Sequence, residues 1–386
     1  GAFGDQLGRR PILLSGLTLN FIGGFASALS PNFLFMCSFR FISGLGVGAI
    51  LSSLITLVTE SSPPSKRGRN VGFVASFFTF GSVYVAVLAL FLFGRNHVSW
   101  RIFLALCALP VFFGNIMIYR WVPESARYLA LNNCPEKACA SANVIANSMG
   151  FYGTPLDIEE VKHHHGRISS AGMDHVRERI SATKTLKRTV KKICSLYSRN
   201  LRCTTITIQL LGISLYIGSS VNIWINVVLR KIGVANLYMD ALYFSLATIP
   251  GNIVAALLMD RTGRKPMLVC SMFLCSLSLF YFARAVEHDD AANGGHSAII
   301  GACFYHAFLV IAFCTFGVIS SELFPTEVRS TSQGVVAATG RLASMCAQYI
   351  NGSLVDRPRD LLLVSSFAIL FGGCCLFFLR DISNQP

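Results

Sequence analysis

Charged residues are sparse in this chain, and the most suggestive of them occur in doubled patterns. Asp5, Gly8, Arg9 and Arg10 form an Asp-x-x-Gly-Arg-Arg turn, and Asp260, Gly263, Arg264 and Lys265 repeat it as Asp-x-x-Gly-Arg-Lys. Glu60, Pro63 and Arg67 fit Glu-x-x-Pro-x-x-x-Arg, and Glu322, Pro325 and Arg329 fit it again. In each half the second pattern follows the first after two apolar blocks. Carboxylates beside guanidinium groups at this spacing can form ion pairs, and a carboxylate can also cap the positive N-terminus of a neighbouring helix. A turn this tight needs glycine where the chain reverses. Two copies of both patterns in one order form an internal repeat.

A second kind of chemistry rests on single residues. Arg341 stands twelve residues beyond Arg329, about 18 Å along a helix, inside an apolar block. An arginine at mid-membrane costs roughly 2.5–3.5 kcal/mol to insert, so it needs a reason to be there. Arg341 is read as a counter-ion for an anionic ligand. Arg40 is shallower and suits a structural or coupling role. Gln209, Tyr216 and Asn222 share the block 204–229 with Trp224 and Asn226. Such a polar and aromatic face suits an amphipathic ligand, and helix–helix hydrogen bonding accounts for the amides equally well.

Other chemistry finds little support. No Gly-x-Ser-x-Gly, His-Glu-x-x-His or Walker loop occurs. Gly44, Gly46 and Gly48 lie within an apolar block, where small residues serve close helix packing. His163, His164 and His165 are adjacent, so they cannot converge on one ion from a helix face. Most of the thirteen cysteines lie inside apolar blocks and act as small hydrophobes. Neither a metal, a structural disulfide nor a cofactor is expected, and the reading is not an enzyme.

The elements that carry these residues follow from composition. Of 386 residues, 53% are hydrophobic and only 13% charged, with a mean hydropathy of +0.56. A soluble domain carries about 25% charged residues. The apolar residues come in blocks of about twenty, the length a helix needs to cross a bilayer. Ten spans are expected: 11–32, 33–58, 71–93, 102–122, 204–229, 238–258, 267–284, 297–319, 331–351 and 361–379. The connections alternate in charge. Arg9, Arg10, Lys66, Arg67, Arg69, Arg261, Arg264, Lys265, Arg329, Arg380 and the polar stretch 123–200 fall on one side. That side holds roughly three times as many basic residues as the other, which marks it as cytoplasmic. The net charge of +14 is thereby explained without nucleic acid. The expected partner is the lipid bilayer.

These motifs carry a family resemblance. The turn at Gly4–Arg10 is similar to the signature between the second and third helices of the major facilitator superfamily. Arg40, Gly44, Gly46 and Gly48 resemble its fourth-helix motif. Pro123-Glu124-Ser125-Ala126-Arg127 resembles the sequence after helix six of sugar porters and organic ion transporters. Ser321-Glu322-Leu323-Phe324-Pro325 resembles the organic ion transporters and the synaptic-vesicle-2-related proteins. Gly340-Arg341-Leu342-Ala343-Ser344 is similar to the helix-eleven segment in which organic anion transporters carry a substrate-interacting arginine.

The resemblance implies an all-α membrane protein of major facilitator fold, with about ten of its twelve helices present in two pseudo-symmetric bundles. It divides the chain into an N-terminal bundle 1–122, a cytoplasmic loop 123–203 and a C-terminal bundle 204–386. It sets Gly1 at the end of the second helix, so the chain reads as N-terminally truncated and is not expected to transport in this form. The implied function is secondary transport of small organic solutes, anions first, by alternating access. The alternatives are a sugar porter and a transporter-like protein that binds without transporting. The implied cytoplasmic gate comprises Asp5, Arg9, Arg10, Glu60, Arg67, Glu124, Arg127, Asp260, Arg264, Glu322 and Arg329. The substrate site comprises Arg341, Tyr216, Asn222, Gln209 and Arg40. The coupling ion and the particular membrane, plasma or vesicular, stay open. Asn351-Gly-Ser353 is a glycosylation sequon lying close to the membrane surface.

Overall fold

A computed structural model describes residues 8–62, 67–94, 98–132, 134–150, 190, 193–199, 201–233, 236–288, 295–324 and 328–378. Among them the chain is helical. The long helices are α1 (Arg9–Ala28), α2 (Phe33–Ser61), α3 (Arg67–Gly94) and α4 (Trp100–Trp121), followed by the short α5 (Ala126–Leu131) and α6 (Pro135–Ser148). After the polar stretch come α7 (Arg202–Ser219), a 3-10 turn (Ser220–Ile223), α8 (Ile225–Lys231), α9 (Leu237–Thr262), α10 (Arg264–His288), α11 (His296–Glu322), α12 (Arg329–Ser353) and α13 (Pro358–Cys375).

Local chemistry sets several boundaries. The Asn32 side chain accepts the Phe35 N–H at 3.0 Å and starts α2, and the Ser125 hydroxyl does the same for Tyr128 and α5. Pro135 and Pro358 occupy first-turn positions in α6 and α13, where a missing N–H costs nothing. Pro110 and Pro250 sit within α4 and α9, as bundle neighbours in a membrane permit.

Among the described residues, nine helical stretches are long and apolar enough to cross a bilayer. The expected block 331–351 is helical as α12, and its 25 residues are ample for a crossing, but it falls outside that set. Its serines, threonines and glutamines, together with Arg329 and Arg341, lower its apolar character. The expected span 204–229 is interrupted: α7 ends at Ser219, the 3-10 turn follows, and α8 resumes.

The chain forms two compact units, Gly1–Ala75 with Asn96–Lys187 and Ser76–Arg95 with Arg188–Pro386. In the first, α1 and α2 meet through small residues. A Cβ on Gly46 would reach the Gly16 carbonyl and the Asn20 amide, so only glycine permits this approach. The Ser43 hydroxyl donates to Asn20 Oδ1 at 2.6 Å across the same seam. Helix α4 joins α1 through Asn115 and Thr18 and through the Phe21–Phe112 ring pair.

In the second unit the core runs through Leu211 and Leu215 of α7, Met272 and Phe282 of α10, Tyr305 of α11 and Ile369 of α13. Ser276 and Ser366 exchange hydrogen bonds between α10 and α13. The second half of α3 belongs here, with Asn252 of α9 donating to Thr79 and the Phe93 ring resting on Tyr238.

Candidate functional site

The first cluster is built around the start of α1. Gly8 has φ +101° and ψ 156°, a region open essentially to glycine, and it turns the chain sharply into the helix. The first amides of α1 have no intrahelical acceptor. Glu124 supplies one: its carboxylate accepts the N–H of Arg9 at 3.1 Å and that of Arg10 at 3.1 and 3.2 Å. A negative group in this position also opposes the positive end of the helix dipole.

Glu60, at the end of α2, completes the cluster. Its Oε1 lies 3.3 Å from Arg9 Nη2, with the two side chains only 13% and 11% exposed. Its Oε2 accepts the Ser125 hydroxyl at 2.5 Å. The Arg9 guanidinium also lies over the Tyr128 ring, 5.0 Å from its centroid. Arg10 donates to the Tyr119 carbonyl at 2.6 Å, and Ser141 of α6 donates to the Glu124 carbonyl oxygen. Five segments, α1, α2, α4, α5 and α6, are therefore tied together within one unit. Arg127 is exposed and forms no ion pair among the described residues.

The sequence repeat has a structural counterpart. Gly263 has φ +84° and ψ 151°, the backbone shape of Gly8, and opens α10 just as Gly8 opens α1. Both glycines precede a basic pair and a proline, Arg9-Arg10-Pro11 and Arg264-Lys265-Pro266. Asp5 lies outside the described residues, as do the side chains of Arg67, Asp260, Glu322 and Arg329.

The second cluster lies in the second unit. Tyr216 of α7 packs against Gly340 of α12, where any Cβ would collide with its ring. Its other side meets Phe313 of α11 edge-on, with centroids 5.5 Å apart. Arg341 is the next residue along α12, exposed and without an ion pair among the described residues. Tyr216 and the Gly340–Arg341 segment are thus neighbours on facing helices.

The break in α7 lies above this pair. Asn222 Oδ1 is buried there without a hydrogen-bond partner among the described residues. Side chains from other helices hold the rest of the break. Tyr305 donates to the Gly218 carbonyl at 3.1 Å, Trp224 donates to Gln348 at 2.7 Å, and Asn351 donates to the Ser220 hydroxyl at 2.7 Å. Below α8, Lys231 donates to Asp356 at 2.6 Å and to the Val355 carbonyl at 2.9 Å. The Lys231 hydrogen bond, and then its charge, hold the Asp356 carboxyl below the usual carboxylate value.

Two residues of the expected substrate set sit apart from this cluster. Gln209 exchanges hydrogen bonds with the Tyr197 hydroxyl. Arg40 lies in the first unit on α2, exposed, within electrostatic reach of Cys107 of α4. Sequence reasoning overlooked Asp240 and His306, both ionisable and both inside expected spans. His306 of α11 stacks on Phe244 of α9 with centroids 5.4 Å apart and rings within 5° of parallel. An ionisable residue within an apolar block was the available signal for each.

Comparison with known proteins adds a lineage to this geometry. A family model described as "Sugar (and other) transporter" matches residues 1–382. Solute carrier family 22 member 6-A of Xenopus laevis is 24% identical over 387 residues, covering 100% of this chain and 64% of the relative. Organic cation/carnitine transporter 4 of Arabidopsis thaliana is 25% identical over 400 residues, covering 100% of this chain and 69% of the relative. The chain therefore spans about two thirds of the length of these relatives. The xylose transporter XylE from E. coli, in a partially occluded inward-open conformation, superposes with a TM-score of 0.72 at 19% identity. That match covers 99% of this chain and 83% of XylE, and it shows a shared fold.

Proposed function

This chain belongs to the sugar (and other) transporter family of the major facilitator superfamily, and on that premise we propose that it serves a secondary carrier moving small organic anions by alternating access. It is an integral, multi-pass membrane protein. The observation that carries the anionic reading is Arg341, an exposed residue with no ion pair among the described residues, which follows directly on Gly340, the residue packed against Tyr216. Arginine cannot shed its charge, so a site within the membrane that holds one invites a negative partner. Tyr216, on the facing helix, would supply an aromatic surface for the body of such a ligand.

The gate in this reading uses the cytoplasmic charge clusters. Arg9, Glu60 and Glu124 brace the N-terminal set, and Asp260, Arg264, Glu322 and Arg329 form its counterpart. Opening inward requires ionic contacts of these sets to break and re-form, which ties the doubled motifs to the transport cycle.

The test is uptake into proteoliposomes of a panel of aromatic carboxylates and aromatic amines. It compares the full-length carrier that contains this chain with its Arg341→Lys, Arg341→Ala and Arg341→Asp variants. Carboxylate uptake should fall at least tenfold in the Ala and Asp variants, with partial activity in Lys. Uptake that survives all three substitutions removes Arg341 from the site.

Asn222 supports a second reading, a neutral hydroxylated solute. Its carbonyl oxygen, buried and without a partner among the described residues, suits a hydroxyl donor. Sugar uptake insensitive to Arg341→Ala and abolished by Asn222→Leu would favour it over the anionic reading.

A further inference from the structure

Asp240 is the residue that the carrier reading leaves unused. It sits in the first turn of α9 with 3% of its surface exposed, and its Oδ2 is sealed from solvent with no hydrogen-bond partner among the described residues. An acid at such a position ordinarily accepts free first-turn amides or faces water. Asp240 Oδ2 does neither. A carboxylate taken out of water without donors is strongly disfavoured, whereas the neutral acid needs far less compensation.

The surroundings offer little to neutralise a negative charge. Among the described residues, His296 and Cys303 of α11 are the ionisable groups that act electrostatically on Asp240 or feel it. His306 stacks on Phe244, one turn further along the same seam. Tyr84 lies on α3, and Tyr238 and Tyr243 lie on α9 itself. Lys231 of α8 is committed to Asp356, and its neighbour Arg230 is exposed. At the outer end of α10, Arg284 lies over Phe280 and Glu287 pairs with Arg359. Arg264 and Lys265 begin α10 at the opposite end. No group of three His, Cys, Asp or Glu side chains among the described residues is arranged to hold a metal ion.

We propose that Asp240 is a proton-binding site in the seam between α9 and α11, holding its proton in the folded protein. The site lies toward the face opposite the basic loops. When the seam opens there, the O–H bond breaks, the proton passes to water on that face and Asp240 is left as a carboxylate; no other bond changes. The site stands whether or not the chain is a carrier. Its use as a coupling site rests on the carrier reading.

Infrared spectroscopy of the full chain in lipid nanodiscs tests the site without any transport assay. At neutral pH the wild type should show the carbonyl stretch of a protonated carboxylic acid, shifted in heavy water and missing from Asp240→Asn. Identical spectra from the two proteins would overturn the proposal. A band that appears only when sodium and other cations are removed would also overturn it, because the occupant would then be a metal cation. If Asp240→Asn does not fold, wild-type protein carrying ¹³C-labelled aspartate carboxyls gives the same decision: the isotope must shift a protonated-acid band at neutral pH.

Thermal unfolding gives an independent reading. A group protonated when folded and ionised when unfolded loses stability as pH rises above about 4, by up to about tenfold in the folding equilibrium per pH unit. Wild type should show this additional slope and Asp240→Asn should lack it. Parallel pH profiles would overturn the assignment.

Discussion

Gly8 lies so close to the Glu124 carboxylate that any side chain at position 8 would occupy the same space. Gly8 thus supplies both the backbone shape that begins α1 and the room for the acid that caps it. Substituting Gly8 with Ala should cost about 1–3 kcal/mol for the backbone conformation alone, and more through displacement of Glu124. Adding Glu124→Ala to Gly8→Ala removes the collision and leaves the backbone penalty. The double variant should therefore unfold at a higher temperature than additivity requires. Strict additivity would mean the two residues do not share this space.

Gly340 and Tyr216 offer a parallel case in the second unit. Gly340→Ala places a methyl group in the Tyr216 ring, and overpacking of this kind costs about 1–3 kcal/mol. Shortening the partner with Tyr216→Leu should recover most of that loss in thermal unfolding. If Gly340→Ala is neutral by itself, the helices have more freedom than this contact allows. In the carrier reading, ligand affinity should fall with Gly340→Ala before the protein unfolds.

Asn351 heads a glycosylation sequon, yet its side chain is 2% exposed and donates to Ser220. Protein expressed in eukaryotic cells should show no glycosidase-sensitive mobility shift that Asn351→Gln removes. Asn351→Ala should instead destabilise by about 1–3 kcal/mol, because a buried hydrogen-bonded group loses its partner. A glycan mapped to Asn351 would contradict the packing of α12 on the break in α7.

The Lys231–Asp356 pair gives α8 a pH dependence of predictable sign. Lys231 holds the Asp356 carboxyl below its ordinary value. The stabilisation is therefore present above the usual aspartate value of about 3.9 and is lost as pH falls through the lower folded-state value. The pair is on the surface, so salt should weaken it as well. Hydrogen exchange of the α8 amides should accelerate in acid and in high salt, after correction for the intrinsic exchange rate. Asp356→Asn should exchange faster at neutral pH and lose both dependences. Equal protection in the two proteins at neutral pH would show that the pair does not hold α8.

Much of the architecture was legible because a bilayer imposes a coarse and regular demand on sequence. The apolar blocks had to be helices, and the repeat at Gly8 and Gly263 marked equivalent turns whose backbone shapes agree. Contacts that depend on three-dimensional approach were less visible. Sequence reasoning set Glu124 among the gate charges, but nothing in the spacing showed that, more than a hundred residues from Arg9, it caps α1. The break after Ser219 carries no proline, and Gly218-Ser219-Ser220 was the one local signal of it. It is held by Tyr305, Gln348 and Asn351 from other helices. Asp240 was passed over because an acid near the end of a span usually meets water, and only its packing shows that one oxygen does not.

The polar character of α12 has a consequence for how the protein is made. A segment with an arginine near its centre pays roughly 2.5–3.5 kcal/mol for that residue when it partitions into lipid alone. Helix α12 follows Pro325 and precedes α13, and it rests on α7 through Tyr216 and the α7 break. During synthesis, α7 must already be in place to receive it, and α13, itself apolar enough to span, fixes the topology that carries α12 across. A chain truncated after Ser353 and released from the ribosome should leave α12 at the membrane surface, open to protease, and extension through α13 should draw it in.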